Sequence, residues 1–257
     1  YNFSGDLGKM ALPAAAALIA GAVGWQTSVL AAGGLGVVAG VAIFAILQRL
    51  GAGAPARVAP LKKDAHESGW GIRNRPAFVV LSAINIVDTA VIYGFLTFLP
   101  FLLMENGASL ETVGLALALA FGGGAAGKFL CGVLAERIGI IRTAVITIIA
   151  KGVCILALIW LPLWAALALL PVLGAALNGT SSVLYATVAE FVDPTRHSRA
   201  FGLFYTVGMA SGAVSPIIFG VVSDLAGVSM AFAIIGMAAL FTVPFCLMLR
   251  RSFNRGD

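Results

Sequence analysis

Residues 77–104 read AFVVLSAINIVDTAVIYGFLTFLPFLLM, an unbroken apolar run with one charged side chain, Asp88. A hydrocarbon core about 30 Å thick is crossed by roughly 20 helical residues, so this stretch predicts a membrane-spanning helix. Its apolar character is continuous rather than alternating with period two, which excludes a strand of a transmembrane β-barrel. Seven similar runs flank it, at 8–23, 27–48, 110–133, 142–161, 164–189, 200–222 and 228–249. Of the 257 residues, 60% are apolar and 11% are charged. Soluble domains carry about 25% charged residues. An ordinary soluble enzyme, a disordered chain and a nucleic-acid binder are thereby excluded. The 31 Gly and 10 Pro suit membrane helices, which tolerate both. The first run is the shortest and begins among Ser4, Asp6 and Lys9 at an end without Met. It reads as a cut through a larger protein, with no signal peptide.

The basic residues set an expected orientation. The connections at 24–27, 104–110, 161–164 and 223–228 contain no Lys or Arg. The alternate connections hold Arg49, Arg57, Lys62, Lys63, Arg73, Arg75, Arg137, Arg142, Arg196 and Arg199, and the tail adds Arg250, Arg251 and Arg255. By the positive-inside rule both chain ends and the long connection face the cytoplasm. That connection, 49–76, is Gly/Ala/Pro-rich and then basic. It reads as a solvated linker that anchors to anionic headgroups, dividing two spans (1–48) from six (77–257).

No serine elbow, P-loop or HExxH motif is present, and His66 and His197 stand singly in connections, so the chain reads as a non-enzyme without cofactor. Cys131, Cys154 and Cys246 lie in apolar runs with no CxxC and no neighbouring His. They read as free thiols rather than a disulfide or metal site.

The run Gly132-Val-Leu-Ala-Glu136-Arg137-Ile-Gly139-Ile-Ile-Arg142 resembles the Gly-x-x-x-Asp-Arg-x-Gly-Arg-Arg loop signature of the major facilitator superfamily. Glu136 stands for the usual Asp, and Ile140-Ile141-Arg142 lacks one or two basic residues. Gly208, Gly212, Pro216 and Gly220 resemble the Gly/Pro pattern of the fifth helix in each half. Pro13, Gly21 and Gly24-Trp25 occupy the matching place in the first half. The segments Gly122–Lys128 and Arg199–Tyr205 are similar to efflux-type members, including fosmidomycin-resistance relatives. The resemblance implies an all-α membrane protein: eight transmembrane helices of a six-plus-six fold, the last two of the N-terminal half and the complete C-terminal half. It also implies that 77–104 and 164–189 line a central cavity, that 110–133 lies at the contact between halves, and that 142–161 faces lipid. The loop at Gly132, Glu136, Arg137, Gly139 and Arg142 would act as a gate, and Gly208, Gly212, Pro216 and Gly220 would serve helix bending and packing.

Asp88 is the one acidic residue deep within a span, about 18 Å from the cytoplasmic end at 1.5 Å per residue. An ionised carboxylate at that depth is costly unless it is paired, hydrated or protonated. It reads either as a proton-coupling residue or as a structural lock on a neighbouring helix. Asn85 shares its helical face, whereas Tyr93 is displaced by roughly 140°. Asn178, Ser181, Ser182 and Tyr185 follow i, i+3, i+4, i+7, one helical face, with Thr180 in the same polar band. They can orient a substrate or bond helices together. Lys128 is placed to pair with Glu136, Glu190 or an anionic substrate, while Lys151, on the helix taken to face lipid, is expected to snorkel towards headgroups. Gly123, Ala126 and Gly127 permit close helix approach, and Gly94, Pro100, Pro171 and Pro216 are expected bending points.

Together these readings predict a secondary active transporter of the cytoplasmic (plasma or inner) membrane, monomeric when full length, moving a small solute by alternating access. Proton-coupled efflux of an organic compound comes first; uptake of an organic anion or sugar, or a transporter-like sensor, are the alternatives.

Overall fold

The computed structural model describes residues 2–50, 71–192 and 197–253. Residues 51–70 of the expected linker, with Arg57, Lys62 and Lys63, lie outside the described residues, as do Arg196 and Arg255. Among the described residues the regular elements are helices: α1 (Asn2–Val23), α2 (Trp25–Arg49), α3 (Arg75–Glu105), α4 (Leu110–Ile138), α5 (Ile140–Leu158), α6 (Leu163–Glu190), α7 (His197–Ala226), α8 (Val228–Phe241) and α9 (Val243–Phe253). Seven stretches are long and apolar enough to cross a membrane, with Val228–Leu249 running over α8 and α9, and α1 contributes a shorter apolar helix, Gly8–Val23. An isolated antiparallel bridge between Ile72 and Val192 ties the start of α3 to the end of α6, joined by Arg73 N–H donating to the Phe191 carbonyl at 2.9 Å.

Local chemistry explains the boundaries. Asn74 caps α3 by accepting from Ala77 N–H at 3.1 Å, and Ser109 caps α4 by accepting from Thr112 N–H at 3.3 Å; each satisfies a donor the first turn leaves unpaired. Gly139 is the only residue between α4 and α5, at φ 92°, a conformation that side chains with a Cβ rarely adopt. The run 228–249, expected as one helix, is interrupted at Thr242. Pro244 has no N–H to continue the ladder, and Thr242 Oγ1 turns back to the Ala239 carbonyl at 2.6 Å. Pro100, Pro171 and Pro216, expected as bending points, lie inside unbroken helices. Gly94 is a packing position, since a Cβ there would lie 2.5 Å from the Phe219 ring.

Among the described residues three apolar clusters hold the helices, two large ones and a small one of Cys131, Ala144 and Val183. One large cluster contains Phe95, Leu99, Leu103, Ile155, Leu170, Phe232 and Ile235; the other contains Phe78, Leu81, Ile84, Ile148, Leu184, Phe204 and Leu249. On α3, α5 and α6 the buried members of these clusters leave a gap, at residues 85–90, 149–153 and 178–182. The buried polar residues Asn85, Asp88, Thr89, Lys151 and Thr180 occupy that gap. Outside, large apolar side chains stand exposed along the helices, α2 above all, where the one buried residue is Ser28, which donates to the Ala16 carbonyl at 2.8 Å. Such a surface is at home in lipid and costly in water. Trp25, Trp160 and Trp164 are exposed at the helix ends that carry no Lys or Arg, the level at which indoles favour a membrane–water interface.

α4 and α6 approach through small residues. A Cβ at Gly123 would strike the Pro171 backbone, one at Gly127 the Ala175 backbone, and one at Gly174 the Ala120 backbone. α1 meets α4 in the same manner, with Gly114 against Ala17 and the Pro13 carbonyl. In membranes, close backbone approach supplies association that hydrophobicity does not. Gly127→Val is therefore expected to lower stability by about 3 kcal/mol through overpacking. Gly132→Ala, on the same helix with nothing within 4 Å of its Cβ, should be neutral or stabilising by about 0.5–1 kcal/mol. Thermal unfolding in detergent checks both; equal effects of the two changes would contradict the close α4–α6 contact.

Candidate functional site

A cavity of about 580 Å³ opens among α1, α3, α4, α6 and α7. Of the residues singled out in the sequence, Tyr93, Lys128, Asn178, Ser181, Ser182 and Tyr185 line it. Asn85 does not. Its Nδ2 donates to the Phe204 carbonyl at 2.9 Å, clamping α3 to α7, and Thr89 Oγ1 donates to its Oδ1 at 3.4 Å. The i, i+3, i+4, i+7 face of α6 supplies most of one wall. Thr180, between those positions, is fully buried and returns its hydroxyl to the Ala176 carbonyl at 2.8 Å. Gly124 makes room for Asn178, whose amide occupies the place a Cβ would need. Gly208 and Gly212 let α7 close on α3, over Asn85 and the Tyr93 ring respectively. Gly220 and Pro216 lie further along α7, and a Cβ at Gly220 would meet Phe98 at an ordinary contact distance of 3.8 Å.

Asp88 is placed one hydrogen bond behind this wall. Ser181 Oγ donates to its Oδ2 at 3.0 Å, and Lys151 Nζ forms a buried ion pair with its Oδ1. The expectation that Lys151 snorkels to headgroups from a lipid-facing helix is corrected: its side chain is 1% exposed. α5 packs against α6 and α8 on the side that carries Thr143, Thr147 and Lys151, all buried. Those positions are spaced i, i+4, i+8, a single stripe, and the two threonine hydroxyls satisfy themselves on backbone carbonyls one turn back. That polar stripe was the signal in the sequence for an inward face, and reading Lys151 by its depth and by the lipid-facing position the resemblance implies misses it.

Two charges in low dielectric attract strongly but lose their hydration, so the pair is worth keeping only with further hydrogen bonds. Ser181 provides one. It also links the pair to the cavity, since its hydroxyl belongs to both.

The cavity further contains residues that the sequence reading did not single out: Lys9 from α1, Thr89, Phe121, Tyr205 and Met209. The Tyr185 and Tyr205 rings stack with centroids 4.6 Å apart and planes inclined by 8°, and Tyr93 Oη contacts Met209 Sδ at 3.8 Å. Tyr205 and Met209 are four apart on α7, one helical face, a pairing visible in sequence once the facing helix is known. Glu136 and Arg137, expected in a loop, lie in the last turn of α4 and Arg142 in the first turn of α5; all three stand exposed around Gly139, away from the cavity lining.

The profile of the Major Facilitator Superfamily matches residues 1–161 and 78–257. The chain is also similar to an MFS-type efflux pump of Mycolicibacterium smegmatis (strain ATCC 700084 / mc(2)155), with 28% identity over 241 residues, covering 88% of this chain and 54% of that protein. The chain thus spans about half the length of that curated relative.

Proposed function

The chain belongs to the major facilitator superfamily, and on that premise we propose that the full-length protein is a secondary active transporter exporting a small organic compound in exchange for protons. The observation that carries this reading is the Asp88–Lys151 pair, buried between the two large clusters and one hydroxyl from the cavity. A carboxylate that faces a cation in one state and a proton in another can couple the two sides of a membrane. α1 and α2 would be the last helices of an N-terminal half, 49–76 the linker, and α3 to α9 the C-terminal half, making eight spans with α8 and α9 as one. The protein would act as a monomer in the plasma or inner membrane, rocking its halves about the cavity. The similarity to an efflux pump supports export. Proton movement is tested in proteoliposomes containing pyranine: adding 2-naphthoate or ethidium outside should shift lumenal pH as the compound crosses. Flux of either compound with no proton movement contradicts the coupling.

With Arg75, Arg137 and Arg142 at one end of the helices and Trp25, Trp160 and Trp164 at the other, the basic end is assigned to the cytoplasm. The native cysteines are buried, so new thiols report cleanly. A cysteine at Ala108 should label from outside intact cells and one at Arg73 should not; the reverse pattern inverts the topology.

Glu136, Arg137 and Arg142 are proposed to close the cytoplasmic side. Because they stand away from the cavity, Glu136→Gln should slow transport or favour the inward-open state while substrate affinity changes less than about twofold. Distance measurements between spin labels on the two halves check this, and an unaltered conformational balance with lost binding would overturn it.

A further inference from the structure

We propose that the cavity selects flat, fused aromatic rings over saturated rings of the same size, with the open face of Tyr205 as the surface on which they stack. This rests on the transporter reading above and names its substrate class. Four rings run in contact from the apolar core to the cavity. Phe78 and Phe204, both buried, meet edge-on with centroids 6.3 Å apart. Phe204 meets Tyr185 edge-on at 5.7 Å, and Tyr185 stacks on Tyr205. Tyr205 ends the series, lining the cavity with 46% of its surface exposed. Its ring is thus supported from behind by side chains rooted in the core. A ligand that stacks on it meets a surface already ordered, and pre-ordering lowers the entropy lost on binding. Tyrosine suits this role, offering a large rigid face on only two rotatable bonds.

The rest of the apolar wall points the same way. Among the described lining residues, the large apolar side chains left well exposed are Tyr205, Tyr93 (40%) and Met209 (46%). The aliphatic lining residues Ile92, Leu96 and Leu177 are half-buried or buried. A ligand in the cavity therefore touches π faces and a thioether more than branched alkyl groups. Tyr93 Oη meets Met209 Sδ at 3.8 Å, which brings the Tyr93 ring of α3 beside the Tyr205 face of α7, and thioether sulfur itself favours aromatic contacts. A saturated ring gains burial on such a wall, but only a flat π system gains offset stacking as well, worth about twofold to tenfold in affinity. A volume of about 580 Å³ accommodates two or three fused rings, within the roughly 300–1,000 Å³ range of small-molecule sites. The wall selects the ring, whatever charge the rest of the ligand carries.

Two matched pairs of probes isolate the ring: 2-naphthoate with decahydro-2-naphthoate, and 2-naphthylmethylammonium with its decahydro counterpart, titrated calorimetrically into the purified full-length protein. The members of a pair share their charged group, so its contacts cancel in the ratio of their affinities. At least one pair should bind, with the aromatic member tighter by about threefold to tenfold. Tyr205→Leu keeps an apolar side chain without a π face and should bring that ratio below about twofold. The saturated member should still bind within about twofold of its wild-type affinity, which reports an intact fold. Tyr205→Phe should keep the ratio. The wild-type ratio is a test in its own right even where Tyr205→Leu does not fold. Equal affinities within every pair that binds, a ratio unchanged in Tyr205→Leu, or no binding of any probe overturns the proposal. Failure of the transporter reading looks different: the aromatic probe then binds with this preference but does not cross proteoliposome membranes under a pH gradient.

Discussion

Lys151→Met is expected to be among the most destabilising single changes in this chain, costing about 3–5 kcal/mol, the usual range when one partner of a buried ion pair is removed. The Lys151 side chain is 1% exposed and that of Asp88 3% exposed, so neither charge can reach water without opening the packing of α3, α5 and α6. Methionine fills most of the lysine volume, so the loss is electrostatic rather than a cavity effect. It leaves Asp88, among the described residues, with the Ser181 hydroxyl as its remaining side-chain partner. Pairing Lys151→Met with Asp88→Asn should recover more than half of it, since the double variant keeps a neutral side chain that can bond Ser181. The recovery is a coupling energy of the kind a double-mutant cycle reads for residues in contact. Exposure of the buried Cys131, Cys154 and Cys246 to a thiol-reactive fluorophore on heating, in detergent, measures all three variants. Wild-type unfolding of Lys151→Met would mean that the ion pair is absent from the protein in its membrane.

Asp88→Asn carries the largest functional effect. The amide keeps the size of the carboxylic acid and can still accept from Ser181, but it neither binds nor releases a proton. Removing the carboxylate leaves Lys151 buried without its counter-ion and so also costs stability. If Asp88 couples transport to protons, the full-length variant that folds into the membrane should bind substrate yet lose proton-driven export to the level of protein-free vesicles. Exchange of labelled for unlabelled substrate, which needs no net proton movement, should continue. The two activities are compared in the same proteoliposomes, with and without an imposed pH gradient. Wild-type pH dependence in Asp88→Asn would make Asp88 a structural residue joining α3, α5 and α6, the second of the two roles open to it from sequence. Lys151 distinguishes the cases further. In a coupling role, Lys151→Arg retains the cation and some proton-driven transport, and Lys151→Met does not.

Much of the cavity was legible from α6 alone, because Asn178, Ser181, Ser182 and Tyr185 carry their own helical phase and a polar face in an apolar run must look inward. Tyr93, separated from Asp88 by roughly 140° around the helix, is accounted for by the same phase: it lines the cavity while Asp88 points to α5 and α6. Asn85 was less legible. It shares the Asp88 face, and that face is the packed one, so it clamps α7 instead of meeting solvent. Lys9, Tyr205 and Met209 could not be assigned to the cavity from their own segments, since nothing in α1 or α7 taken singly says which neighbour it meets.

By itself the sequence determined that the chain is helical and crosses a membrane repeatedly, where most of its helices begin and end to within about six residues, the break at Thr242 excepted, and which ends collect positive charge. Each of these rests on local terms: hydropathy summed along one segment, a capping side chain, a glycine or proline, a count of Lys and Arg in a loop. The tertiary structure alone decided the partner of Asp88. Lys151 is 63 residues away in the chain, and whether it faces lipid or carboxylate depends on the rotation of α5 about its own axis. That rotation is set by how α5 packs on α6 and α8 through shape and small residues, a non-local quantity that a lysine in an apolar run does not reveal.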